Sequence, residues 1–330
     1  MTAADLLLIV MVIGLTAYAL LGGADFGGGV WDLLARGPDA RDQRKLISNA
    51  IGPVWEANHV WLVFIVVALF SGFPPAYGLV GSSLEIPLSA ALVGIVLRGA
   101  AYVYRAYGAG AAGPDHWWGH VFAVSSTITP FALGVAGASL ATGRMSPDDP
   151  VEPLRSTFGL GCGVFAVAVT AFLAAVYLCK DAAASPATEH LIPEFRRRAT
   201  GGAVVCGALA MMLLPLFWDQ APVVAHRFLD RSMPLVALSV IGGAATLVAL
   251  ARRQFVVARL AAGLAVGAML WGWAVAQYPD LIVGQVTADS AAAPTTNIHA
   301  MLYAVAGGLA IVLPPIIVLY RLFTRPEPTT

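Results

Sequence analysis

Residues 6–29 read LLLIVMVIGLTAYALLGGADFGGG. Nineteen residues, 6–24, pass without a charge between Asp5 and Asp25. As a helix rising 1.5 Å per residue, such a run covers the roughly 30 Å of a bilayer's hydrocarbon core. Eight further runs of this kind follow. The nine lie near 4–22, 52–72, 78–104, 118–141, 156–179, 200–218, 233–251, 255–276 and 299–323. They are continuously apolar rather than alternating, which argues against a β-barrel. Over the 330 residues, 58% are hydrophobic and only 12% charged, against about a quarter charged in a soluble domain. The 19 basic and 19 acidic residues cancel, so the basic excess of a nucleic-acid binder is missing. The reading is an all-α integral membrane protein: one transmembrane domain over 1–330 with about nine helices and no soluble domain.

Orientation follows from the basic residues. Loops after odd-numbered spans and the C-terminal tail carry thirteen, among them Arg36, Arg41, Arg44, Lys45 and Arg196–Arg198; loops after even-numbered spans carry four. Positive residues favour the cytoplasmic side, so the N-terminus is expected outside and the C-terminus inside. No Lys or Arg precedes the first span, so it is not expected to be a cleavable signal. The short connection FPPAYG at 73–78 predicts a tight antiparallel pair of spans two and three. The Arg252–Arg253 link makes the split between spans seven and eight the hardest boundary to place.

Gly23 and Gly27 stand four apart, the spacing that lets helices approach closely. GGADFGGG is not read as a phosphate loop, because the GxGxxG spacing and a preceding strand are both missing. Cys162, Cys179 and Cys206 lie inside apolar runs and read as small buried hydrophobes, not as a disulfide framework or zinc site. Trp117, Trp118 and Tyr278 fall at expected interfaces and read as anchors.

Charges inside a membrane are costly and tend to mark a site. Asp25, Glu56 and Arg98 come from three consecutive spans at one depth near the cytoplasmic side. An arginine there would hold one carboxylate ionised, while like-charge crowding favours the protonated form of the other. Two readings stand side by side: a proton-handling cluster, or an ion pair that fixes helix register. His59 is three residues from Glu56 and four from Trp55, spacings that touch on a helix. Glu85 is placed in the outer half of span three, about 20 Å from Arg98 along the axis, too far to pair. Pro87 follows it and would free a backbone carbonyl. Glu85 is either a relay member or a carboxyl kept protonated in a polar pocket. The six histidines show no pairing at matched mid-membrane depth, so neither haem ligation nor any other metal site is expected on this chain.

Three stretches carry a resemblance: GGADFGGGVWDLL (22–34), QRKLISNAIGPVWEANHVWLVFIVVALFSGFPPAY (43–77) and WGWAVAQYPDLIVGQVTADSAAAPTTNIHAML (271–302). Together they resemble subunit II of cytochrome bd-type terminal oxidases. The core W-x-x-N-x-V-W-L, here Trp55, Asn58, Val60, Trp61 and Leu62, is a specific signal. The resemblance covers essentially the whole chain. It implies two four-helix bundles plus one extra helix, and a heterodimer with a homologous subunit I. That partner carries the b and d haems and the quinol-binding loop; subunit II holds none of them. The complex reduces oxygen to water with electrons from quinol and protons from the cytoplasm. Subunit II supplies an apolar interface and carboxylates lining a proton route, which map to Asp25 and Glu56, with Arg98 beside them. No catalytic residue is assigned to this chain. Some members hold a structural quinone in subunit II, and small single-helix accessory subunits are further partners to consider.

Three positions depart from the commoner family pattern. D-G-F-D becomes GGAD, which removes an upstream carboxylate. D-G-N-[EQ]-V becomes Glu56-Ala57-Asn58-His59-Val60. Y-P-Y-L-x-P-P becomes YPDLIVG, with Asp280 and no proline pair. The alternatives are a secondary transporter with broken helices, motivated by Glu85, Pro87 and the glycine clusters, and a divergent oxidase with a donor other than quinol.

Overall fold

The computed structural model describes residues 2–107 and 117–323; the side chains of 53–57, 105–107, 312, 313 and 315–323 fall outside that description. Helix α1 (Ala3–Leu34) starts on a reciprocal cap. The Thr2 hydroxyl accepts from the Asp5 amide at 3.2 Å, and the Asp5 carboxylate accepts from the Thr2 amide at 2.6 Å. The helix continues through the glycine cluster for 32 residues, well past the apolar run. Helix α2 (Ala40–Gly72) likewise begins before its apolar stretch.

Pro74 and Pro75 then open a separate short helix, α3 (Pro74–Ser83), bent by 119° from the preceding segment 58–72. Proline suits the first turn of a helix, where its missing N–H is not needed. Helix α4 (Glu85–Tyr107) starts after a break at Leu84. This corrects two expectations. Span three begins at Glu85 rather than near 78, and it packs chiefly on α5 rather than as a tight partner of α2. Pro87 lies in the first turn of α4, so it frees no carbonyl within the span.

Helix α5 (Trp117–Thr142), short α6 (Glu152–Arg155) and α7 (Thr157–Ala182) follow. Next come α8 (Ile192–Gln220), α9 (Pro222–Arg231), α10 (Met233–Ala251) and α11 (Phe255–Gln277). Arg253, at φ 57°, makes the turn that separates α10 from α11. A two-stranded hairpin, β1 (Asp280–Ile282) and β2 (Val286–Thr287), leads through α12 (Ala288–Ala291) into α13 (Thr295–Phe323). Among the described residues, seven helices are long and apolar enough to cross a membrane, or eight if the bent α2–α3 pair counts as one span.

Helix α1 packs on α2, α5 and α7; α4 packs on α5, α7 on α8, and α10 on α11, while α11 also joins α7. The largest core cluster centres on α7, where Leu173–Val176 and Leu178–Cys179 are buried almost completely. The glycines of α1 explain the close fit. A Cβ at Gly23 would run into Leu173, and one at Gly27 would overlap the Thr170 carbonyl. This agrees with the reading of Gly23 and Gly27 as a packing face. The cysteines sit as expected, Cys179 in the core and Cys162 and Cys206 partly buried, all three as free thiols.

The connection 277–294 is a tied cap rather than a loose loop. Val283 N–H donates to the Leu140 carbonyl at 3.2 Å, and Ala293 N–H to that of Gly72 at 2.8 Å. Gln277 Nε2 donates to the Leu140 carbonyl at 3.0 Å. Arg227 from α9 pairs with Asp280 at 2.6 Å, and the Tyr278 hydroxyl donates to Asp5 at 3.1 Å. Asp280, one of the departures from the family pattern, thus has a partner on α9.

Two substitutions test the packing argument. Gly27→Val forces α1 away from an α7 backbone carbonyl and should cost about 3 kcal/mol, read as a lowered unfolding temperature in detergent. Gly243→Ala on α10, where an added Cβ meets nothing within 4 Å, should leave that temperature unchanged or slightly raised.

Candidate functional site

Asp25 lies on α1 between the glycines that fit the helix to its neighbours. One turn on, Gly29 has no side chain, and a Cβ there would collide with Ser126 of α5. The close approach lets the Ser126 hydroxyl accept from Arg98 Nε at 2.8 Å, while it donates to the Phe122 carbonyl at 2.6 Å. Arg98 reaches in from α4. Its Nη1 donates to Asp25 Oδ2 at 2.8 Å, and its Nη2 donates to Asp25 Oδ1 and, at 2.9 Å, to the Asp25 backbone carbonyl. Asn58 Nδ2, from α2, donates to Asp25 Oδ2 at 3.3 Å.

The pair is sealed. Asp25 is 0% and Arg98 1% exposed, and Asn58 and Ser126 are fully buried. The rings of Phe26 and Phe122 lie with their centroids 5.0 Å from the guanidinium carbon. Aromatic faces attract a cation, so the arginine is held by a carboxylate, a hydroxyl, a carbonyl and two rings. A buried ion pair survives only when its remaining donors and acceptors are met, and here most of them are.

Asp25 and Arg98 therefore meet as the sequence predicts. Asn58, part of the W-x-x-N-x-V-W-L signal, touches the carboxylate directly. The side chains of Glu56 and Trp55 lie outside the described residues. His59 is half-buried on α2, one residue past Asn58. Trp61 sits edge-on to Phe64, ring centroids 6.3 Å apart. Glu85 is exposed at the first position of α4, at the end of that span remote from Arg98, rather than several residues inside it. Sequence reasoning missed Ser126, Phe26 and Phe122. The signal for Ser126 was the polar SSTIT run inside an apolar span.

Among the described residues, no three His, Cys, Asp or Glu side chains gather as a metal site. His226 stacks edge-on against Trp218, His299 lies near Tyr303, and His190 faces Asp42 at 3.6 Å. These three imidazoles sit in separate places.

The family model of cytochrome bd terminal oxidase subunit II matches residues 3–323. The chain belongs to this family. Subunit II relatives agree over shorter stretches. A 144-residue segment is 35% identical to cytochrome bd ubiquinol oxidase subunit 2 of Bacillus subtilis (strain 168), covering 42% of this chain and 40% of that one. A 184-residue segment is 29% identical to cytochrome bd-I ubiquinol oxidase subunit 2 of Escherichia coli (strain K12), covering 52% and 46%. The chain thus matches less than half the length of these curated relatives. The fold is similar to that of a bd oxidase chain from Geobacillus thermodenitrificans, with TM-score 0.80 and 21% identity over 98% of this chain and 99% of that one. Membership in the bd subunit II family displaces the transporter reading.

Within this subunit II, Arg98 carries the burial of Asp25. Arg98→Gln should destabilise the protein by about 3–5 kcal/mol in detergent unfolding, because it strands a buried carboxylate. Adding Asp25→Asn should recover part of that loss. A double variant no more stable than Arg98→Gln alone would show that the two charges are not coupled.

Proposed function

We propose that this chain is the haem-free subunit II of a bd-type terminal oxidase in the bacterial cytoplasmic membrane. The complex it forms with subunit I reduces oxygen to water with electrons from quinol and protons from the cytoplasm. The observation that carries the reading is the family match over 3–323, together with a shared fold over nearly the whole chain. Relatives named as ubiquinol and menaquinol oxidase subunits support quinol as the donor class. In this reading, α1, α2, α4 and α5 form one four-helix bundle and α7, α8, α10 and α11 the other. Helix α13 is the ninth span, and the N-terminus faces outward. Haems b and d belong to subunit I.

An apolar face supports the partnership. Val60, Val63, Val67 and Phe70 on α2, and Leu92, Val93 and Val96 on α4, are exposed. An apolar surface of this kind is covered either by lipid or by another membrane chain, and the heterodimer assigns it to subunit I.

The Asp25–Arg98 pair is the fixed part of the proton route. Arg98 keeps the Asp25 carboxylate in place as an anion, and that anion stabilises a positive charge passing nearby. Glu56 is the second carboxylate of the route, two residues from Asn58, with His59 beside it as a further titratable group. Glu85 stands apart, at the outer end of α4.

Purification through a tag on this chain, in mild detergent, tests the reading. A second apolar chain should co-elute, with b- and d-type bands in the reduced-minus-oxidised spectrum and quinol-driven oxygen uptake. A colourless chain eluting alone, from membranes without added oxygen uptake, would reject the assignment. In the assembled complex, Glu56→Gln and Asp25→Asn should each slow turnover while leaving the haem spectrum intact. Wild-type turnover in both would remove the proton route from this chain.

A further inference from the structure

Two oppositely charged side chains stand slightly apart at the same end of the helical bundle. Asp181 is the penultimate residue of α7, and Arg259 lies in the second turn of α11. Elsewhere such pairs close tightly: Arg155 meets Asp149, and Arg227 meets Asp280, at 2.6 Å. Arg259 Nη1 remains 4.0 Å from Asp181 Oδ1, and the two side chains are 38% and 33% exposed. Among the described residues, neither side chain makes a hydrogen bond. The guanidinium carbon sits 4.6 Å from the centroid of the Tyr177 ring. That contact holds the guanidinium by its face and leaves its in-plane N–H groups free to donate.

Asp181, Arg259 and Tyr177 supply the polar groups of a cleft between α1, α2, α7 and α11. Its other walls are apolar, Ala24, Ala50 and Ala174 among them. Counting its open mouth, the cleft measures about 300 Å³. From it a shallow seam runs along α1 and α11 toward the middle of the membrane. Ala24, Leu20 and Thr16 follow one another at four-residue steps on α1, and Arg259, Gly263 and Gly267 do the same on α11. A Cβ at Gly263 would meet only Leu20, at 3.9 Å, and one at Gly267 only Thr16, at 3.7 Å. By contrast, a Cβ at Gly23 or Gly27, on the face toward α7, would overlap its neighbours. Thr16, Leu20, Ala24, Gly263 and Gly267 are all partly exposed, so the seam is open to its surroundings. It extends for about 12 Å, two turns of helix.

An occupant of this cleft must meet a cation and an anion together and lay an apolar chain in the seam. A phosphate alone would suit Arg259, whose fork of N–H donors matches it, but would face the like charge of Asp181. An ammonium on the same molecule removes that conflict. We propose that the cleft binds a phospholipid whose headgroup carries both a phosphate and a primary ammonium. The phosphate sits on Arg259, the ammonium on Asp181, and one acyl chain lies along the α1–α11 seam. In the orientation expected from the basic residues, the site is in the cytoplasmic leaflet. It goes beyond the oxidase reading and depends on neither the proton route nor the electron donor.

Native mass spectrometry of the protein purified with its co-eluting partner tests the site. The sample is stripped of loose lipid in detergent and offered equal amounts of dioleoyl phosphatidylethanolamine and dioleoyl phosphatidylglycerol. The wild type should retain the ethanolamine lipid over the glycerol lipid. Arg259→Gln should lower its retention about tenfold, since a charge-assisted phosphate contact is lost. Asp181→Asn should abolish or reverse the headgroup preference while lipid still binds. Gly263→Leu, one turn from the charged pair, fills the seam and should lower retention of both lipids. Equal retention of the two lipids by the wild type, a preference for the glycerol lipid, or retention unchanged in Arg259→Gln overturns the proposal. So does a map of the complex with a protein segment lying in the seam. The wild-type preference needs no variant, so the proposal can fail even where a substitution destabilises the chain.

Discussion

A guanidinium and a carboxylate that have both left water remain charged only while each holds the other. Asp25 and Arg98 meet this condition with almost no solvent access. The rest of the architecture around the pair is arranged to keep them together. Helices α1, α2, α4 and α5 each send one group to the pair, so none can shift along its axis without breaking a charged contact. The pair therefore fixes helix register whatever else it does. The register-fixing reading and the proton-handling reading, set side by side from sequence, are not exclusive.

Small residues make the arrangement possible. Lipid tails are as apolar as leucine, so helices in a membrane gain little from the hydrophobic effect and must rely on close packing. Gly23 and Gly27 give α1 its fit to α7, and Gly29 gives it the fit to Ser126 that completes the arginine's shell. Glycine inside a helix costs up to about 1 kcal/mol relative to alanine, a loss that the tight contacts along α1 offset. The same stretch that looks weak as a helix is therefore the best-packed part of it.

At the opposite end, the cap over 277–294 holds by hydrogen bonds between segments distant in sequence. It ties the ends of α2 and α5 to α9 and to the start of α1. Asp280 departs from the usual family residue, yet it pairs with Arg227 and so contributes to the closure of the cap. A change that looks like lost chemistry when a motif is compared is, in three dimensions, a local contact.

The sequence by itself determined the class of the protein, because uncharged runs of bilayer length leave helices as the only way to satisfy backbone polar groups in lipid. It also carried the family resemblance and set Asp25, Glu56 and Arg98 at one depth as candidate partners, since an intramembrane charge needs a partner at its own depth. It placed Gly23 and Gly27 at a helix contact through their spacing. Tertiary structure alone decided the rest. The break at Leu84 and the separate helix after Gly72 depend on how the chain turns at the membrane surface, where apolar composition continues unbroken, and so Glu85 moved from within a span to its first residue. Ser126, Phe26 and Phe122 became partners of Arg98 only because α5 and α1 pack closely. Contacts of this kind join residues far apart in the chain, and hydropathy, which reads one segment at a time, carries no record of them.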